Sequence, residues 1–206
     1  MNSKIDTIIF DLGGVLVDWN PKNMYKKVFD SEEEMNWFLD NVCTSEWNIE
    51  QDGGRKIEDA VALKIAEFPE YKEQIELFYE RWEEMFIGLI QENIDIQQHL
   101  IHNTDYKVYA LTNWSGEKWE RSLELFPFFN DFEGVIVSGK EMTRKPFDFI
   151  YQLILNRFNI NASSALFIDD NLENVKAAQR NGINAIQFTG NEPLSTLLSN
   201  FNIKVK

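Results

Sequence analysis

Thr7-Ile8-Ile9-Phe10-Asp11-Leu12-Gly13-Gly14-Val15 is the stretch that decides how this chain folds. Four residues rich in branched and aromatic side chains run straight into an acid and two glycines. A near-continuous apolar run of that length reads as a strand buried on both faces. Glycines directly after it let the backbone turn sharply and approach a ligand or ion closely. In open α/β sheets ligands bind outside the carboxyl ends of the strands, so Asp11 stands where chemistry is expected.

The same texture recurs downstream in Val108-Tyr109-Ala110-Leu111, Val135-Ile136-Val137, Ala165-Leu166-Phe167-Ile168 and Ala185-Ile186-Gln187-Phe188. The intervals after Leu111, Val137 and Ile168 carry helical stretches of the kind parallel strands need as crossovers. The last of these places Val175 and Ala178 on a helix and Gly182 as its stop. These features predict an α/β fold with a Rossmann-like parallel sheet. From about Asp18 to Gly88 no strand-like run is visible. Ser31-Glu32-Glu33-Glu34 is a capping box opening a helix through Trp37 and Phe38. Ile57, Ala60, Val61, Ile65 and Phe68 repeat at helical spacing until Pro69, and Ile75, Phe78, Tyr79, Trp82, Met85 and Phe86 form a second amphipathic face. Residues 1–17 and 89–206 are therefore expected to form the core, with 18–88 a helical cap inserted after the first strand. The stripe of Phe78, Trp82, Met85 and Phe86 reads as core of that cap rather than a cofactor box.

Four motifs follow the predicted strands. Asp11-Leu12-Gly13-Gly14 follows the first. Thr112-Asn113 follows the second, offering a hydroxyl and a main-chain amide to an anion. Thr143-Arg144-Lys145-Pro146 follows the third. Pro146 favours an extended Lys145 and a helix start, which leaves the ammonium free to meet phosphate. Asp169-Asp170-Asn171 follows the fourth, with Asn174 one turn on. Adjacent acids repel each other unless a cation is present, and a hard divalent metal shared with Asp11 accounts for them best.

Composition limits the rest. The 206 residues suffice for one good core and a small accessory domain, with 44% hydrophobic and 26% charged residues. The formal charge of −14 disfavours nucleic acid and anionic lipid as partners. No apolar run approaches the roughly 20 residues of a membrane span. The opening Met-Asn-Ser-Lys stretch does not read as a secretion signal, so a cytoplasmic location is expected. One cysteine, Cys43, excludes an intrachain disulfide and a cysteine metal cluster and reads as a small core residue. His99 and His102 read as solvated or packed helix residues.

Taken in order, the four motifs resemble the haloacid dehalogenase-like hydrolase superfamily over essentially the whole chain. Phe-Asp-Leu-Gly-Gly-Val-Leu-Val-Asp and Phe-Ile-Asp-Asp-Asn-Leu-Glu-Asn-Val look like its phosphatase branch with a small helical cap. The resemblance implies a sheet order of 5-4-1-2-3 and a nucleophilic Asp11 that forms an aspartyl-phosphate. It also implies Mg²⁺ held by Asp11, the Gly13 carbonyl and Asp170, with Asp169 helping directly or through water. Thr112, the Asn113 amide and Lys145 would hold the phosphoryl oxygens. Trp47 and Asp52-Gly53-Gly54-Arg55-Lys56-Ile57 resemble the cap loop over the site. Arg55 then either touches the substrate or is a plain loop arginine, and Trp19 is assigned to hinge packing or the pocket wall. The expected activity is hydrolysis of a small phosphorylated metabolite, a sugar phosphate or similar, by a monomer or weak homodimer. One departure stands out: the second Asp usual in the family's phosphatases, its general acid and base, is Gly13 here. Two other readings follow from that family, a metal-independent 2-haloacid dehalogenase and a phosphate-binding protein with little turnover.

Overall fold

The computed structural model describes residues 4–205; Met1 to Ser3 and Lys206, at the outer bounds of the expected core, lie outside them. Five strands form one parallel sheet: β1 (Thr7–Phe10), β4 (Lys107–Thr112), β5 (Gly134–Val137), β6 (Ala165–Asp169) and β7 (Asn184–Gln187). Their order is β5-β4-β1-β6-β7. Counting only these five strands, that is the expected 5-4-1-2-3, and every neighbour pairs in parallel.

Alternate residues of the central strands enter two separate cores, as a two-residue period requires. Ile8, Phe10, Val108, Ala110, Leu166 and Ile168 face one layer. Ile9, Tyr109, Leu111 and Phe167 face the other. Buried on both sides, these strands need no polar alternation, which is why they read as unbroken apolar runs.

Between β1 and β4 the chain leaves and returns through a short antiparallel ribbon, β2 (Val17–Trp19) paired with β3 (Phe86–Leu89). Neither strand is expected from the sequence. With three and four residues, they pair only across the whole intervening segment, so neither has a local pattern of its own. Within the segment lie α1 (Lys22–Tyr25), α2 (Glu32–Asn41), α3 (Ser45–Asp52), α4 (Ile57–Glu67) and α5 (Lys72–Glu80). Ser31 caps α2 by accepting from the Glu34 N–H at 3.3 Å, and Thr44 does the same for α3 from Trp47 at 3.1 Å. The amphipathic face expected to continue from Ile75 to Phe86 breaks after α5. Trp82–Met85 is a 3₁₀ turn and Phe86 already belongs to β3. The segment packs around Tyr25, Phe38, Trp47 and Phe78, and this core is continuous with the one under β1.

The remaining helices are α6 (Gln91–Asn103), α7 (Trp119–Leu125), α8 (Ser138–Glu141), α9 (Asp148–Arg157), α10 (Leu172–Arg180) and α11 (Leu194–Ser199). Buried residues of α9 and α10 cover one sheet face, while Ile94, Leu100, Leu194 and Leu198 of α6 and α11 cover the other. The stop after α10 is as read, with Gly182 at φ +79°. Cys43 is buried, and its burial pushes the thiol up to about 12, so it is an inert core group. Among the described residues no helix is long and apolar enough to cross a membrane.

Candidate active site

Register brings the acids together. Phe10 pairs with Ile168, so Asp11 and Asp169 are the next residues on adjacent strands, and the Asp11 N–H donates to the Ile168 carbonyl at 2.8 Å. Asp11, Asp169 and Asp170 present carboxylate oxygens all within 4.8 Å of one another. Gly14 completes the turn at φ +71°, and a Cβ there would run into the Asp170 carboxylate. Gly13 has an ordinary φ, and a Cβ there would meet nothing within 4 Å.

Lys145 reaches this cluster from the loop between α8 and α9. Its ammonium lies 2.8 Å from Asp11 Oδ2 and 2.6 Å from Asp169 Oδ2, and the residue is fully buried. The expected free ammonium is thus a buried bridge between two carboxylates. Pro146 does not open the helix either; α9 begins only at Asp148. Asn113 fixes Lys145 in place, since its side chain accepts from the Lys145 N–H at 2.8 Å and donates to the Lys145 carbonyl at 3.1 Å. Asp169 is saturated: Oδ1 accepts from the Asn171 N–H at 2.8 Å, and Asn174 donates to both oxygens at 3.0 and 3.1 Å. Asp11 accepts from the Leu12 N–H at 2.7 Å.

The charges do not balance. Burial holds the Asp11 carboxyl well above its usual range, Lys145 opposes this, and Asp169 and Asp170 add repulsion. Asp170 is raised as well, first by its packed surroundings and then by Asp169. Burial opposes the Lys145 charge, but the two carboxylates outweigh it and raise its pKa. Beside the cluster the Thr112 hydroxyl is buried with no hydrogen-bond partner among the described residues. Such a group costs about 1–3 kcal/mol unless something binds it.

A cleft opens next to this edge, between the sheet and the helical segment. Gly13, Asn113 and Ser115 line it from the strand side, and Asn48, Asp52 and Lys118 add polar groups. Most of the wall is aromatic: Trp19, Phe78, Tyr79, Trp82, Phe86 and Trp114.

A family model described as haloacid dehalogenase-like hydrolase matches residues 8–188. The chain belongs to the haloacid dehalogenase-like hydrolases. It is 25% identical over 183 residues to the sesquiterpene phosphatase astK of Aspergillus oryzae, with 88% of each chain covered. In fold, it is similar to a HAD-like family hydrolase from Porphyromonas gingivalis, with a TM-score of 0.73 at 20% identity over 98% of this chain and 100% of that one. A HAD family enzyme from Bacteroides thetaiotaomicron, solved in complex with magnesium and inorganic phosphate, gives 0.69 at 22% identity over 94% and 98%.

In this haloacid dehalogenase-like hydrolase, Asp11, Gly13, Thr112, Asn113, Lys145, Asp169 and Asp170 all come from one sheet edge. Arg55 does not join them. Its guanidinium is committed to the Gln51 side chain at 2.6 Å and the Trp47 carbonyl at 3.1 Å, and it is no part of the cleft wall. Trp47 is itself buried in the helical segment against Phe78 and Tyr79. Trp19 does wall the cleft, and the stripe read as cap core lines it too. Two residues named from the sequence, Asn174 and Asp52, have no role assigned there. Asn174 is signalled by its place one turn into α10, facing back to Asp169. Asp52 opens the stretch that resembles the cap loop, marked by the two glycines that follow it.

Proposed function

We propose that this hydrolase is a Mg²⁺-dependent phosphatase acting on a small phosphorylated molecule through an aspartyl-phosphate on Asp11. The observation that carries this reading is the Thr112 hydroxyl, buried without a partner among the described residues, beside a carboxylate cluster that one lysine cannot neutralise. The residues fit a divalent ion. Three carboxylates face a single ammonium, and an oxygen-only donor set suits Mg²⁺ rather than a softer metal. Asp11, Asp170 and the Gly13 carbonyl would hold it; Asp169, with both oxygens engaged, sits behind them. When bound, the ion balances charge on the cluster and the phosphoryl group.

The protein's own groups do the rest. An Asp11 oxygen attacks phosphorus and the bond to the leaving oxygen breaks. Thr112, the Asn113 N–H and the Lys145 ammonium hold the phosphoryl oxygens where charge builds up. Water then attacks the aspartyl-phosphate, freeing phosphate and Asp11. The helical segment acts as a lid and supplies most of the cleft wall. That wall favours an apolar or aromatic alcohol over a sugar, and the similar sesquiterpene phosphatase points the same way. A 2-haloacid substrate fits poorly, since its carboxylate would face a cluster already short of positive charge.

The test is turnover of aryl, prenyl and sugar monophosphates with Mg²⁺ and with chelator. Chelator-sensitive phosphate release that drops to background in Asp11→Asn is the expected result. Chloride release from a 2-haloacid without metal, and no phosphate release, would replace this reading with dehalogenation.

A further inference from the structure

Breaking an alkyl phosphate leaves a strongly basic oxygen that needs a proton, and Gly13 has none to give. Of the titratable groups lining the cleft, Tyr79 is raised by burial, which keeps its hydroxyl protonated, and Lys118 is occupied by the Tyr79 carbonyl at 3.0 Å. Asp52 is different. It ends α3 and lines the cleft together with Ser115, three residues past Thr112 on the same strand-tip loop. Asn48 donates to its Oδ2 at 3.2 Å, and its own carbonyl accepts from the buried Ser138 hydroxyl. That hydroxyl also accepts from the Trp114 N–H at 2.9 Å, so the end of α3 is tied to the loop that carries the phosphate ligands, and the Asp52 side chain stands in the cleft that Gly13 also lines.

We propose that Asp52, supplied by the helical segment, is the proton-transfer residue of this site and stands in for the acid missing at Gly13. The inference rests on the phosphatase reading above. As Asp11 bonds to phosphorus and the phosphorus–oxygen bond breaks, the electron pair stays on the departing oxygen, which takes the Asp52 proton. The Asp52 carboxylate then takes a proton from the water that attacks the aspartyl-phosphate. That returns Asp11 as a carboxylate, Asp52 as an acid, and one phosphate.

The carboxyl suits both steps. Burial raises it to about 7, against the lowering effects of the Ser115 N–H and Arg144. The charged and titratable groups around it are Arg144, itself paired with Glu50 at 2.9 Å, together with Tyr79 and Lys118.

The test compares alkyl and aryl monophosphates with Mg²⁺ in wild type and Asp52→Asn, a change that keeps an acceptor for Asn48. Alkyl kcat/KM should fall about 10²–10⁴-fold and aryl kcat/KM by less than about tenfold. In the wild type, alkyl kcat/KM should decline above about pH 7, and Asp52→Asn should lose that decline. Equal losses on both substrates with an unchanged pH profile would overturn the proposal and leave Asp52 a strut between segment and sheet. Should Asp52→Asn fold poorly, the wild-type profiles decide: no alkyl-specific decline near 7 overturns it. The double variant with Gly13→Asp, where the structure has room for a side chain, should recover alkyl turnover. Absence of any Mg²⁺-dependent phosphate release from wild type would instead remove the phosphatase reading itself.

Discussion

Thr112 holds a polar hydroxyl inside the protein with no hydrogen-bond partner among the described residues. Evolution and physics tolerate that where a ligand completes the pairing, so activity and stability should respond in opposite directions. Thr112→Val keeps the shape and deletes the orphan. We expect an unchanged or higher Tm by calorimetry, and a loss of about 10²-fold in kcat. A matching fall in Tm would mean that the hydroxyl has a structural partner. At this scale, Asp11, Thr112, Asp169 and Asp170 are legible in the sequence because each closes or follows a run of buried apolar residues. Lys145 is legible as a site residue but not as a buried bridge, since a Lys-Pro pair says nothing of the carboxylates on neighbouring strands. Asp52 is hardest to read, because its meaning depends on Gly13 and Ser115, which line the same cleft from distant parts of the chain.

Between one strand and the next, the turn after β1 is the element most exposed to a single change. Gly14 adopts φ +71°, a conformation that strains any side chain, and a Cβ would displace the Asp170 carboxylate. Gly14→Ala should therefore lower stability by about 1–3 kcal/mol. It should also weaken Mg²⁺ binding by about tenfold or more, read by titration calorimetry. Unaltered Mg²⁺ affinity would show that Asp170 is not a ligand. The five sheet strands follow directly from their composition. The ribbon β2–β3 does not, because antiparallel partners this short are chosen by the fold and not by local pattern. The apolar spacing from Ile75 to Phe86 also misleads as a single helix. These residues share the same surroundings, the segment core and the cleft wall, while the backbone passes from helix to 3₁₀ turn to strand.

For the molecule as a whole, surplus negative charge makes stability depend on metal and pH. Mg²⁺ at a hundredfold excess over its Kd should stabilise the fold by about 2.7 kcal/mol, seen as a rise in Tm that Asp170→Asn largely loses. Asp52 adds a second dependence. Its carboxyl is raised from an ordinary 3.8 to about 7 in the folded protein. Its contribution is therefore fully present below about pH 4 and lost as pH rises through 7. With Mg²⁺ present throughout, the Tm of wild type relative to Asp52→Asn should fall between pH 5 and 8; a constant difference would contradict the shifted carboxyl. The β2–β3 ribbon has a consequence of another kind. It returns the chain to within one strand spacing of where it departed, so the ends of the intervening segment are already closed. Lengthening a closed loop costs entropy only as the logarithm of its length, about 0.6 kcal/mol per doubling. Natural selection can therefore enlarge, shrink or rebuild the segment that walls the cleft almost without penalty to the sheet, and revise what the enzyme accepts while its reaction stays fixed.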